Sequence, residues 1–280
     1  MDSELLSFRD VSYAYPGGAR LSARFPALRG HAIDSVTFSV ATGSAVAILG
    51  ANGSGKSTLL QLCNGLLDPD SGAISWQGSP MDRSRSGLTR VRSQVGLLFQ
   101  DPDDQLFAGT LFQDVALGPL NQGLSRSEVR ERVQDALEKT GLSEYADLPP
   151  HVFSHGMRKR AALAGVLAMR PKLLLLDEPT AGLDPESEER LLEIMTDLVD
   201  RGVSILVSTH DLDLARMWAR DTVILDRGRL AAFGPSEQMM SNAELLEATG
   251  LRRRACRSSF GEDRMAAATG FGRVSRMGKP

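Results

Sequence analysis

The stretch Ala45-Val-Ala-Ile-Leu-Gly50-Ala-Asn-Gly-Ser-Gly-Lys-Ser57 decides the fold. Its first five residues are a short, wholly apolar run, which suits a strand covered on both faces, as in a parallel α/β sheet. Residues 50–57 then fit the pattern GxxxxGK[ST], and residues 57–65 carry Leu59, Leu60 and Leu62 at the spacing of a helix. Glycines let the backbone wrap a phosphate and point successive N–H groups at it, while the following helix adds its positive N-terminal end. Lys56 is then set to reach β- and γ-phosphates, and Ser57 to ligate Mg2+. A nucleotide site is therefore expected on Gly50, Ala51, Asn52, Gly53, Ser54, Gly55, Lys56, Ser57 and Thr58.

Outward from this loop, two further strands end in chemistry. Leu173-Leu-Leu-Leu-Asp-Glu178 is an apolar strand that delivers two acids at its C-terminal end, the sheet edge where ligands bind. Asp177 can hold the hydration shell of Mg2+, and Glu178 can polarise an attacking water. Taken alone, the pair could equally be solvated acids at a strand end; beside a phosphate loop that reading loses its force. Residues 203–209 form another apolar strand, ending in His210, which would emerge on the same edge as Glu178.

The remaining pattern predicts strands over 5–13, 34–40, 73–76, 95–99 and 222–225, with a helix over 186–199. β-α-β alternation points to a right-handed parallel sheet. Residues 125–140 open with Ser-Arg-Ser-Glu, a capping-box pattern, carry Val129, Val133 and Leu137 on one face and stop at Gly141. They read as part of a helical insertion, about 101–165. Residues 16–31 read as a loop or hairpin connection.

Composition narrows the classes. The chain has 280 residues, 42% of them apolar and 24% charged, which excludes collagenous, mucin-like and wholly disordered proteins. The net charge of −3 gives no pull toward nucleic acid, and no nucleic-acid partner is expected. That charge is unevenly spread: residues 251–280 hold eight Lys/Arg against Glu262 and Asp263. This basic tail is expected to be a solvated end, with contact to lipid head groups as the alternative. Cys63 and Cys256 lack a CxxC spacing, so neither a disulfide framework nor structural zinc is expected. No apolar run approaches the length of a membrane span; the longest, 161–169, stops at Arg170. A soluble, cytoplasmic chain is expected.

The order of motifs is specific. Gly50 to Ser57, Gln100, Phe153-Ser-His-Gly-Met157, Asp177-Glu178, Ala181-Gly-Leu-Asp184 and His210 together resemble the ATPase subunit of an ABC transporter. The resemblance covers about residues 5–245, taken as one ATPase domain. It implies a P-loop core with an antiparallel β subdomain and a helical subdomain. It further implies ATP and Mg2+ as ligands and Gln100 as a metal-contacting, catalytic residue beside Glu178 and His210. Ser154, His155 and Gly156 would be the signature offered to a partner's ATP, and Asp184 the D-loop acid. Tyr15 sits where the family stacks an aromatic on adenine, with a strand-end core tyrosine as the plain alternative. A second ATPase chain, in a homo- or heterodimer, and membrane-embedded subunits are the implied partners, at the cytoplasmic face of the membrane.

Within the family, Phe99-Gln-Asp-Pro-Asp-Asp-Gln-Leu-Phe107, Asp114-Val-Ala-Leu-Gly-Pro119 and Ala164-Gly-Val-Leu-Ala-Met169 are similar to the energy-coupling-factor group. The last of these most resembles its cobalt/nickel branch; a vitamin importer is the alternative. A soluble ABC ATPase of DNA repair, chromosome organisation or translation is also weighed, against the short gap from Lys56 to Asp177, which holds no heptads. The chain departs from the family in its signature, which usually reads Leu-Ser-Gly-Gly-Gln: His155 replaces the first glycine and Met157 the glutamine. The segment 17–31 is also longer than usual.

Overall fold

The computed structural model describes residues 4–16 and 31–251. Most of the 17–31 extension, the basic tail beyond residue 251 and Cys256 lie outside the described residues.

Two sheets form the frame. One is antiparallel, in the order β2-β1-β4-β5, from β1 (Glu4–Tyr13), β2 (Ile33–Ala41), β4 (Ser71–Trp76) and β5 (Ser79–Pro80). The other has the order β10-β9-β3-β8-β7-β6. It comprises β3 (Ala45–Leu49), β6 (Val95–Leu98), β7 (Leu173–Asp177), β8 (Ser204–Thr209), β9 (Asp221–Asp226) and β10 (Arg229–Pro235). Its pairings are parallel except at β9–β10, which makes the sheet mixed rather than purely parallel.

The apolar runs are explained by cover on both faces. Along β3, Ala47 and Leu49 join one core while Val46 and Ile48 join the other. Leu174 and Leu176 of β7 likewise part from Leu173 and Leu175. This two-residue alternation is the pleat of a strand, and with both faces packed no position is left for a polar residue. The first core lies beneath helices α3 (Leu111–Asn121), α4 (Arg126–Thr140), α5 (His155–Leu167) and α6 (Pro185–Asp200). The second lies between the sheets and contains the buried side of α1 (Lys56–Cys63). The Cys63 thiol is fully enclosed there, and burial raises its pKa, so it is a packing residue rather than a nucleophile.

Helices α3, α4 and α5 pack on one another. The α4 start carries the capping box read from the sequence: Ser125 accepts from Glu128 N–H, and Glu128 Oε2 accepts from Ser125 N–H at 3.0 Å. Helix α2 (Arg85–Arg92), α7 (Leu212–Trp218), α8 (Ser236–Ser241) and α9 (Ala243–Ala248) complete the described α-helices. Register then fixes the working edge. Leu49 lies beside Thr209, and Asp177 beside Ser208, so the phosphate-loop candidate, the acid pair and His210 leave the sheet together.

Candidate functional site

A cavity of about 530 Å³ opens at this edge, lined by Asn52, Gly53, Gly55, Lys56, Ser57 and Thr58 from the loop and the start of α1. Tyr15, Gln100, Glu178 and His210 close it from other elements. Two lining residues, Ala32 and Ala181, were not expected in the site: their small apolar side chains carry no chemical signal, and Ala181 stood in the sequence only as the start of the motif ending at Asp184. Gly50, Ala51 and Ser54, like Asp177, belong to this edge without lining the cavity. There Gly50 O accepts from Lys56 Nζ at 2.9 Å, and Ala51 O accepts from Ser54 N–H at 3.0 Å.

The glycines are required by crowding as well as by turning. A Cβ on Gly50 would stand 2.6 Å from Leu225 O, and one on Gly55, at φ +106°, would stand 2.6 Å from Ala32 O. Both neighbours are backbone and cannot step aside. The loop is also held from behind, where Gly228 N–H donates to Ser54 O at 2.9 Å and Gly228 O accepts from Asp34 N–H at 2.8 Å.

At the cavity floor Glu178 is gripped from two sides. Lys56 Nζ lies 3.4 Å from its Oε1, and His210 Nδ1 lies 2.9 Å from its Oε2. Lys56 and Glu178 are each 7% exposed, so the ion pair sits away from bulk water, where charge pairing is strong. Glu178 has φ +45°, a backbone region that side-chain-bearing residues rarely adopt. Its N–H donates to Ser208 O and to Ser208 Oγ, each at 3.1 Å. Ser208 Oγ in turn donates to Asp177 Oδ1, which fixes one carboxylate oxygen of Asp177 within the sheet edge.

Tyr15 is half exposed, with its hydroxyl 3.2 Å from Thr58 Oγ1 and its ring edge-on to Tyr13. The segment after Gln100 is braced by its own side chains. Gln105 accepts from Phe99 N–H and donates to Leu97 O, each at 3.2 Å. The buried Asp114 carboxylate accepts from Phe107 and Ala108 N–H at 3.1 and 3.0 Å. Phe107 itself is 79% exposed.

Ser154, His155, Gly156 and Asp184 lie outside this cavity. Ser154 caps α5 by accepting from Met157 N–H at 3.3 Å. Gly156 is buried against α6, where a Cβ would meet Ser187 Oγ at 2.9 Å. The exposed His155 ring rests on Gly182, so that a Cβ at 182 would lie 3.4 Å from its Nε2. Asp184 caps α6, accepting from Ser187 N–H at 2.9 Å and Ser187 Oγ at 2.8 Å, and these bonds lower its pKa.

Among the described residues no three His, Cys, Asp or Glu side chains gather as a metal-holding group. A divalent ion here would draw on the Ser57 hydroxyl, the Gln100 amide, Asp177 and the phosphates of a nucleotide. Such an all-oxygen set suits Mg2+. The residues present therefore fit the ion.

A glycine cradle on a buried parallel strand, with an acid pair and a histidine arriving from the neighbouring strands, defines a P-loop ATPase of the ABC fold. A family model described as ABC transporter matches residues 33–181, and the chain belongs to that family. It is an ATP-binding, ATP-hydrolysing enzyme coupled to transport. The energy-coupling factor transporter ATP-binding protein EcfA of Methanothermobacter thermautotrophicus is 42% identical over 248 residues, covering 89% of this chain and 76% of that one. Among solved structures, cbiO1 of Clostridium perfringens, described as part of the complex cbiONQ, is 36% identical with a TM-score of 0.75. That match covers 90% of this chain and 96% of cbiO1. The cassette MJ0796, in a dimeric post-hydrolysis state bound to ADP and Pi, is 26% identical with a TM-score of 0.72, covering 83% of this chain and 99% of that one. No helix of the described residues is long and apolar enough to cross a membrane.

Proposed function

We propose that this chain is the ATP-hydrolysing subunit of an energy-coupling factor importer for cobalt or nickel ions, peripheral to the cytoplasmic face of the membrane. Residues 5–245 act as the ATPase domain, with a helical subdomain at about 101–165. The observation that carries the hydrolytic part is the Glu178 carboxylate, held between Lys56 and His210 at the floor of the phosphate-loop cavity. The solute rests on likeness to cbiO1 and on the wording of residues 164–169.

In this scheme the adenine stacks on Tyr15 and the triphosphate lies along residues 50–58. The γ-phosphate becomes the counter-ion of Lys56, which releases Glu178 Oε1 from its resting partner. Freed on that side, Glu178 accepts the proton of the attacking water, while His210 holds Oε2 and orients or stabilises the γ-phosphate. Ser57, Gln100 and Asp177 would hold Mg2+, which would supply neutralisation of phosphate charge. Ser154 and Gly156 face the nucleotide of a second ATPase chain, beside Asp184 of the D-loop. The braced segment 99–107, with Phe107 displayed, is the part that meets the membrane subunit.

The reading is tested by isolating the chain from native membranes with its partners and measuring ATP-driven uptake in vesicles. Cobalt or nickel should accumulate, and uptake should stop with Glu178→Gln. Accumulation of a vitamin would move the chain to the other branch of importers. An ATPase that sediments with no membrane protein would contradict transport altogether.

The altered signature has its own expected result. An imidazole at 155 puts bulk where the family has none, at a helix start that must approach a nucleotide closely. As sole ATPase of the assembly, the chain carrying His155→Gly with Met157→Gln should turn over ATP several-fold faster. An unchanged or lower rate would show that the ring, lying on Gly182, does not obstruct that approach.

A further inference from the structure

Besides Lys56, the buried cations of the described residues comprise only Lys159, which the hydrolytic scheme leaves unused. It lies in the second turn of α5, whose first residues are the signature. An ammonium has three donors, and here they meet three carbonyls of one short segment. Lys159 Nζ donates to Glu178 O and Pro179 O, each at 3.1 Å, and to Ala181 O at 2.6 Å. Lys159 is 4% exposed and forms no salt bridge among the described residues, its ammonium meeting carbonyls instead. Its burial lowers its pKa, partly offset by Glu178 and Asp101.

The three acceptors follow directly on β7 and begin with the catalytic acid itself. Glu178 stands at φ +45°, and a non-glycine residue stays there only when its surroundings hold it. Its N–H is held by Ser208 from β8, and its carbonyl by Lys159 from α5. Between these two grips the carboxylate meets Lys56 and His210. With the second grip removed, the Glu178 carbonyl keeps only the Ala181 N–H at 3.2 Å, a bond within a segment that Lys159 itself ties down at Pro179 O and Ala181 O, so the peptide between 178 and 179 loosens and the carboxylate leaves that line.

We propose that Lys159 is a positioning residue for ATP hydrolysis, fixing the backbone of Glu178 through its carbonyl so that the carboxylate faces the phosphate cavity. The proposal rests on Glu178 being the base. It differs from a general stabilising role because the phosphate loop, which Lys159 does not touch, should be unaffected.

The test compares the full-length chain with Lys159→Met, Lys159→Gln and Lys159→Arg. The readouts are kcat, affinity for a fluorescent ATP analogue and amide hydrogen exchange. For Lys159→Met, kcat should fall at least about tenfold while the analogue binds within about threefold of the parent. Exchange should quicken at 179–183 and stay unchanged at 50–60. Lys159→Arg, which keeps a buried cation with several donors, should recover part of the rate. Lys159→Gln is one bond shorter and has two donors for three carbonyls, so it cannot keep the whole grip, and it serves by the same readouts if the methionine variant does not fold. A folded Lys159→Met or Lys159→Gln chain with kcat within about twofold of the parent would overturn the proposal. Affinity lost in step with kcat, or exchange quickened throughout, would also overturn it. Parental turnover by Glu178→Gln would instead remove the base assignment, whereas an inactive Glu178→Gln beside an active Lys159→Met removes the positioning role alone.

Discussion

Glu178→Gln should bind ATP at least as well as the parent and hydrolyse it at least about a hundredfold more slowly, the usual scale of a lost general base. The amide fills the same space beside Lys56 and His210 but cannot take a proton from water at neutral pH. Binding is spared for a reason visible in the resting site. Lys56 is paired with the Glu178 carboxylate at 3.4 Å, and an incoming phosphate has to displace that partner. A neutral amide competes less, so affinity should hold or rise. Steady-state turnover and a nucleotide titration on the same preparation check both halves. Parental turnover would mean that another group takes the proton.

Lys56→Ala should cost about a hundredfold or more in nucleotide affinity. Hydrogen bonds to charged groups contribute about 1.5–3 kcal/mol each, and Lys56 would form them with two phosphates. A second loss follows from the ion pair. Without the ammonium, Glu178 is left as a buried carboxylate with His210 as its remaining partner, facing an anionic ligand. Removing one member of a buried pair commonly costs about 3–5 kcal/mol. The two substitutions should therefore be non-additive: Lys56→Ala should weaken binding less in a Glu178→Gln background than alone. Calorimetric titration of the four chains gives the coupling directly, and equal losses in both backgrounds would deny that the two side chains interact.

The legible parts of the sequence were those in which one residue type has one physical use. The apolar strands at 45–49 and 173–176 were readable because cover on both faces leaves no polar position; the first is observed with those bounds and the second runs one residue further, to Asp177. The glycine loop was readable because crowding against Leu225 and Ala32 admits nothing larger. Helix α2 gave no such signal, since only Gly87 and Val91 of its eight residues are buried. Helix α3 is broken in pattern by Gly118 and Pro119, and β10 runs into Gly234 and Pro235, residue types that strands disfavour. Lys159 was invisible for a different reason. Its partners are backbone carbonyls 19–22 residues away, and every residue type offers the same carbonyl. The resting contact of Lys56 with Glu178 joins positions far apart in the chain, and only the parallel register of β3, β8 and β7 brings them together.

The central claim is that hydrolysis needs one chain's Glu178 and another chain's Ser154. It is tested most directly by mixing two variants, Glu178→Gln and Gly156→Asp, each inactive alone. The first keeps an intact signature and the second an intact phosphate site, and a Cβ at 156 would stand only 2.9 Å from Ser187 Oγ. A mixed dimer then contains one complete site, so turnover should reappear on mixing at about a quarter of the parental rate for random pairing. A mixture as inactive as its components, under conditions where the parent chain pairs and turns over, would show that the site is not shared between chains.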